Sequence, residues 1–499
     1  MQLIPYLLLI PLAAAFLIPV VGKKMKNSSE ALALIASFAL AIFSYMLAGA
    51  VITHKVLVYK AGNWMPPAGI TLVADSLSAF ILATVNTVAF FVALYSVEYI
   101  KKYTDTWKFY SLFCLMLAGI NGVLVAGDIF NLYVWLEIAA IAGYFLVAFG
   151  ISSASLEAAF KYAVMGAIAS AFILLGIAFI YSYTSTLNMA DMASFIAAAN
   201  QPRILLFASV LFLMGFGLKA SLVPFHAWLP YAHSSAPAPI SAMLSGVSIK
   251  VLGLYALARI FFNIFGLSSA ISWILITLGA LSMAIGAIMA FGQSDIKRLF
   301  AYSSISQIGY IALGLGVGTP LSIFAALFHL FNHSTTKALL FLNSGQIEEM
   351  AGTRNINKIS GVISGEPVTG YTSLVGALSI CGMPPLGGFW SKLIIIFACI
   401  QAGRPILGLI AALISILTLA YYFRALGPAL FGKGADQIPG TKIAWRMGIP
   451  MIALAILSMV SVFMIIPFRG NAANILLQNA AAVLIDGKNY AAAVMGALK

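Results

Sequence analysis

Charge is what this sequence has least of. Of 499 residues, 27 are Lys or Arg and 14 are Asp or Glu, together 8%, against about 25% in ordinary soluble domains. A shortage on that scale excludes a soluble globule, whose surface has to carry charge. Cysteine is scarce as well. Cys114, Cys381 and Cys399 lie inside apolar segments, with none of the spacings of a disulfide scaffold, a zinc site, an iron–sulfur cluster or a haem attachment, so they read as buried thiols. No GxGxxG or Walker string follows a strand, which removes the nucleotide-binding folds. Segments of about ten residues alternating in polarity are missing too, and with them the outer-membrane barrel.

What is present is apolar length. Hydrophobic residues make up 62% of the chain and come in runs of about 20 separated by short polar loops, the pattern of a polytopic α-helical membrane protein. The net charge of +13 is no sign of nucleic acid, because most of the basic residues sit in loops between apolar runs. The opening MQLIPYLLLIPLAAAFLIPVVG has its charges, Lys23, Lys24 and Lys26, after the apolar run. It therefore reads as a retained first span and not as a cleaved signal.

Fourteen spans are expected, near 2–21, 31–52, 72–95, 109–127, 129–149, 158–183, 204–233, 240–262, 271–291, 299–317, 320–345, 371–400, 405–426 and 446–467. Assigned alternately, the loops carry about 15 Lys and Arg on one side and about 8 on the other. Positive loops stay in the cytoplasm, so both termini are expected outside a prokaryotic cytoplasmic membrane. Span 7 (KASLVPFHAWLP) and span 12 (CGMPPLGGFWSK) each carry prolines in mid-run followed by aromatics. Proline frees backbone groups that survive at membrane depth only against protein or a wet cavity. Two such breaks, five spans apart, divide the chain into spans 1–3 (1–108), a repeat of spans 4–8 (109–262), a second of spans 9–13 (271–426), span 14 (446–467) and a tail (470–499) read as a weakly amphipathic surface helix.

Glu137, Lys219, Lys250, Lys337 and Lys392 fall inside apolar runs. Each costs about 2.5–3.5 kcal/mol at the bilayer centre, so they must be paired, hydrated or neutral. Burial penalises the charged form of either residue type, which is what a proton relay needs. Glu137 lies about 12 Å into its span, near mid-membrane. Lys219 stands on the last intact turns before Pro224, and Glu137 is its natural partner, either as a relay pair or as a structural salt bridge. Lys250 lies too deep to snorkel, whereas Lys392 mirrors Lys219 after the second break and has snorkelling as a rival reading. His329, His333 and Lys337 follow at i, i+4 and i+8 on one helix face. The two histidines suit a metal by spacing, but the HExxH glutamate and a third ligand are missing, so a relay is favoured over metal, with histidines bonded to their own surroundings as the plain alternative. His226 and His233 read as lining an access path near the cytoplasmic loop or capping backbone. Asp75 and Asp128 read as helix N-caps, and Glu98, Glu348 and Glu349 as solvated loop charges.

GDIFNLYVWLE, LKASLVPFHAWLPYAHSSAPAPISAMLSGVSIK, GQSDIKRLFAYSSISQIGY and PPLGGFWSK, in this order over residues 127–392, resemble the antiporter-like subunits shared by Mrp-type Na+/H+ antiporters, respiratory complex I and membrane-bound hydrogenases. Chain length and the first string are most similar to the D-type subunits of the Mrp branch. The resemblance implies fourteen helices holding two inverted five-helix repeats with helices 7 and 12 broken. It makes Glu137 and Lys219 the charged pair of a first half-channel and Lys250 the link to the second. His329 and His333 become the central axis, Lys392 its terminal lysine, and Lys337 a looser match. The long lateral helix of the largest relatives is not expected in the short stretch after span 14. The implied function is proton translocation with Na+/H+ exchange inside a multisubunit membrane complex, with no cofactor, no metal and no nucleic acid. The alternatives are the pump arm of a redox-driven complex and a quinone-binding oxidoreductase subunit using the aromatics near Trp228 and Trp390.

Overall fold

The structure is a computed structural model that describes residues 3–25, 27–198, 203–432 and 443–498, the side chain of residue 488 excepted. Helices dominate. The chain runs through α1 (Leu3–Val21), α2 (Ser28–His54), α3 (Ser76–Lys102), α4 (Thr106–Val125), α5 (Ile129–Gly150) and α6 (Ser153–Thr184). A short α7 (Met189–Ala198) leads to α8 (Arg203–Lys219) and α9 (Trp228–Ser235). Then come α10 (Ala238–Ile264), α11 (Ser269–Phe291) and α12 (Ile296–Val317), and α13 (Pro320–Ala351), α14 (Pro367–Cys381) and α15 (Gly387–Gln401). The chain ends with α16 (Pro405–Phe431), α17 (Trp445–Ile465), α18 (Ala472–Ile485) and α19 (Tyr490–Leu498). Among the described residues, eleven of these helices are long and apolar enough to cross a membrane.

Local chemistry sets the helix starts. Asp128, Ser152, Ser268, Asp295, Thr319 and Glu366 each accept a backbone N–H of the first turn that follows them, satisfying groups the helix cannot satisfy itself. The helices separate into a shell and an interior. On α1, α2, α6 and α16 large apolar side chains such as Phe16, Ile35, Phe160 and Ile416 are exposed, as lipid-facing surfaces must be. The apolar stretches of α10 and α12 are buried on every side. At the α11–α12 contact glycines replace larger residues: a Cβ on Gly309 would stand 2.6 Å from the Gly279 carbonyl oxygen. Backbones that approach this closely are held by packing of small residues, since apolar side chains gain nothing over lipid.

Three expectations change. Residues 72–75 belong not to span 3 but to an antiparallel hairpin, β1 (Val56–Lys60) against β2 (Thr71–Asp75), with Val58 opposite Val73, and α3 starts only at Ser76. The tail is not one helix but two, α18 and α19, each with one face buried, as at Leu477, Ala480 and Val494, and the other exposed, as at Ile475 and Ile485. Lys250 lies on a π-helical stretch of α10, Leu244–Tyr255, not on an ordinary α-helix.

Candidate functional site

α8 stops at Lys219, and the chain crosses Val223–Pro224 before α9 begins at Trp228. The groups freed by the break are not left bare. The Val223 N–H donates to Ser282 Oγ on α11 at 2.9 Å, and the Trp228 indole N–H donates to the Leu218 carbonyl at 3.2 Å. Irregular backbone at membrane depth is tolerated on these terms. The Trp228 ring lies parallel to Tyr162, 4.3 Å between centroids, so that face is already covered and is not open to a quinone ring.

Lys219 therefore ends a helix inside the bundle, 5% exposed. Its Nζ lies 3.4 Å from Glu137 Oε1, whose side chain keeps 24% of its exposure. Ser170 on α6 also donates to Glu137. Glu137, on α5, thus accepts from a cation and from a hydroxyl at the same oxygen, Oε1, as an acceptor-only carboxylate can. Next to Lys219, a cavity of about 10 Å³ reaches Ser248 and Ile249 on α10, close to the space one water needs. A Cβ on Gly253 would stand 2.4 Å from the Ala220 Cα, so the helix of Lys250 rests directly on the break after Lys219.

Lys250 is 1% exposed and donates to the Ser245 carbonyl five residues back, an acceptor in step with the π-helical turn. Ser245 Oγ meets Ser304 Oγ of α12 at 2.7 Å. On α13 the rings of His329 and His333 stack nearly parallel, 6.1 Å between centroids. Both His333 nitrogens lack a hydrogen-bond partner among the described residues, while His329 Nδ1 meets Ser391 Oγ at 2.9 Å. Lys337 donates to the Phe300 carbonyl at 2.9 Å and to Tyr422 OH at 3.1 Å. At the second break, between α14 and α15, Lys392 donates to the Ile380 carbonyl at 2.7 Å and is 2% exposed. Snorkelling does not describe it. The predicted residues thus occupy the interior on α5, α8, α10, α13 and α15, with Glu137 and Lys219 in direct contact.

Some charged residues gain partners that sequence reasoning missed. Asp75 caps α3 as expected, accepting the Ser78 N–H at 2.9 Å, but it also grips Arg259 of α10 through two bonds of 2.6 and 2.8 Å. Lys297, 3% exposed at its side chain, pairs with Glu348 at 2.7 Å. Glu348 is therefore no free loop charge, and neither is Glu349, which pairs with Lys102 at 2.6 Å, nor Glu98, which holds Lys101 and Arg446. His233 is not at a loop: it is fully buried, stacked on Phe341 at 4.7 Å. Apart from Lys101, each of these partners lies far away along the chain, so no local spacing announces it.

Comparison with known proteins agrees with this architecture. Residues 126–418 match the family model described as NADH:quinone oxidoreductase/Mrp antiporter, TM, and residues 64–110 match that of the NADH-ubiquinone oxidoreductase (complex I) chain 5 N-terminus. The chain is 37% identical over 419 residues to the N-type subunit of the NADH-quinone oxidoreductase of Desulforudis audaxviator, covering 83% of this chain and 82% of that one. It is 33% identical over 422 residues to the D-type subunit of the Na(+)/H(+) antiporter of Alkalihalophilus pseudofirmus, covering 84% and 85%. Among solved structures, a chain of the Mrp complex from Dietzia sp. DQ12-45-1b superposes with a TM-score of 0.91 at 26% identity, over 99% of this chain and 100% of that one. A chain of the archaeal membrane-bound sulfane sulfur reductase does so with a TM-score of 0.90 at 32% identity, with the same coverage. The chain belongs to the NADH:quinone oxidoreductase/Mrp antiporter transmembrane family.

Proposed function

We propose that this chain is a proton-translocating subunit of a multisubunit membrane complex, exchanging H+ for Na+ along a relay of Glu137, Lys219, Lys250, His329, His333, Lys337 and Lys392. The observation that carries the reading is the Glu137–Lys219 pair at 3.4 Å, placed where α8 breaks off inside the bundle. With Glu137 close, the Lys219 ammonium is held charged; when the two separate, the lysine gives up its proton toward Lys250 and the next group responds in turn. Ser170 steadies the carboxylate during that change.

The division into two repeats, 109–262 and 271–426, has its own support. Asp128 caps α5 and bridges to Asn188, and Asp295 caps α12 and bridges to Asn355, at the same separation along the chain. Each unit then reaches its break, closed by Trp228 in one and by Lys392 in the other. On this reading the chain has fourteen spans, counting α8–α9 and α14–α15 as one broken helix each and adding the polar α13 to the eleven long apolar helices. Both termini lie outside a prokaryotic cytoplasmic membrane, on the strength of the loop charges.

The second reading, a pump arm driven by a redox partner, is favoured by the 37% identity to an NADH-quinone oxidoreductase subunit and the fit to a chain of a respiratory sulfur reductase. One experiment separates the two. Vesicles carrying the whole native complex are given a pH gradient and then Na+ or K+, without an electron donor, for wild type, Glu137→Gln and Lys219→Ala. Dissipation in wild type and neither variant supports exchange. Silence until a redox substrate is added supports the pump arm, and full activity of a folded Glu137→Gln variant overturns the relay.

A further inference from the structure

Many buried Ser and Thr in this protein bond back to their own helix, as Ser44 does to Leu40, Thr84 to Phe80 and Ser96 to Val92. Thr369 and Ser373, one turn apart on α14, do otherwise. Both side chains are buried, and neither hydroxyl has a hydrogen-bond partner among the described residues. On α13, Gln346 Oε1 and Asn343 Nδ2 are buried and unpartnered as well. An unmet polar atom in a membrane interior is costly, and four of them on two packed helices call for a ligand.

The register of the two helices brings the four together. Thr336 Oγ1 lies 3.3 Å from Ser379 Oγ, a Cβ on Gly376 would stand 2.9 Å from Leu340 Cδ2, and Thr372 Oγ1 lies 3.3 Å from Asn343 Oδ1. The helices are thus antiparallel and in step, which places Gln346, three residues past Asn343, opposite Thr369, three before Thr372. Thr372 gives its own proton to the Val368 carbonyl at 2.6 Å. The Asn343 amide can therefore donate to that hydroxyl and turn its oxygen toward the cluster. A charge stands beside these groups. Glu366 caps α14 through the Thr369 N–H and is 4% exposed. Among the described residues no cation pairs with it, whereas Glu348 and Glu349 hold Lys297 and Lys102. Glu349, three residues past Gln346, is exposed, so the cluster lies about one turn beneath the surface.

We propose that this cluster between α13 and α14 binds Na+, as substrate and not as a resident metal. Thr369, Ser373, Asn343 and Gln346 supply neutral oxygens, and the Glu366 carboxylate, one turn from Thr369, supplies the compensating charge. A hard cation takes oxygen ligands, and Na+ is held by neutral oxygens in the interior of membrane transporters. The composition of the relay explains why such a station stands apart from it: Lys219, Lys250, Lys337 and Lys392 are cations when they carry a proton and repel Na+, whereas oxygens next to an unpaired carboxylate attract it.

The proposal rests on the exchange reading, so its test measures binding apart from transport. Equilibrium binding of radioactive Na+ is read on the whole native complex in detergent, and dissipation of a pH gradient by Na+ is read in vesicles. Thr369→Val and Gln346→Leu are each expected to weaken Na+ binding at this site about tenfold and to raise the Na+ concentration for half-maximal dissipation in step. Glu366→Gln, which keeps an acceptor for the Thr369 N–H, is expected to weaken it likewise, and Thr369→Ser, which keeps the oxygen, to bind as wild type does. Lys219→Ala is expected to bind Na+ normally and to transport none. Unchanged Na+ binding in both Thr369→Val and Gln346→Leu overturns the site and leaves these oxygens to water. Binding lost in those variants, while Na+ dissipates no gradient in wild type, upholds the site and overturns exchange. Should Thr369→Val fail to assemble, Gln346→Leu decides by the same binding measurement.

Discussion

Lys392 binds the carbonyl of Ile380, twelve residues before it and across the break that separates them, at 2.7 Å. The side chain proposed to release a proton is thus also the donor that satisfies the freed backbone. These two duties separate by substitution. Lys392→Arg keeps a donor but stays protonated at any ordinary pH, so the complex is expected to assemble with near-normal thermal stability and to move no protons. Lys392→Ala is expected to lose transport and, in addition, about 1–3 kcal/mol of stability for the unsatisfied carbonyl. Transport by the arginine variant at the wild-type rate counts against Lys392 as a relay group.

The Asp75–Arg259 pair is buried, with side chains 2% and 3% exposed. Removing one member strands the other. Asp75→Asn is expected to destabilise the protein by about 3–5 kcal/mol, and joint replacement of Asp75 and Arg259 by apolar residues by markedly less. Thermal unfolding of both variants in detergent checks this, and equal losses refute it.

Trp228 does two things that Phe can divide. Trp228→Phe retains an aromatic face against Tyr162 but removes the N–H bonded to the Leu218 carbonyl. A loss of about 1–3 kcal/mol is expected, with the break still formed. Unfolding by denaturant measures the loss, and an unchanged midpoint places the bond outside the stability of the break.

Gly253→Ala inserts a methyl group 2.4 Å from the Ala220 Cα and 2.5 Å from its nitrogen. The backbone beside Lys219 has to move or α10 has to back away, at a cost of about 1–3 kcal/mol. Because the displaced residue follows Lys219, transport is expected to fall further than this loss of stability explains. Transport at the wild-type rate in vesicles separates packing from function here.

The buried charges were legible in the sequence because a lysine inside an apolar run is a local outlier, and the breaks were legible because Pro224 and Pro384–Pro385 interrupt such runs. The long-range pairs were not. Arg259 and Asp75 stand 184 positions apart, each near a run end where a charge is ordinary. The hairpin escaped because its second strand, TLVAD, continues into the apolar run of α3. Nothing in the composition of LSGVSIKVLGLY marks a π-helix, since that register is set by what surrounds it. The hydroxyl contact of Ser245 with Ser304 was illegible for a similar reason: a serine contacting another helix and one bonded to a carbonyl of its own helix look alike in sequence.

The hairpin and α19 meet. Lys60, the end of β1, donates to the Leu498 carbonyl at 3.3 Å, the Tyr490 ring lies 5.3 Å from the Arg259 guanidinium, and Asn263 donates to the Val483 carbonyl at 2.8 Å. During biosynthesis β1 therefore leaves the ribosome long before the helix it is to touch has been made, and Arg259 enters the bilayer with one wall of its site still untranslated. Insertion helix by helix cannot finish this protein. The Arg259 site is complete only once Tyr490 of α19 packs beside the guanidinium, and until then the Asp75–Arg259 pair lacks that wall.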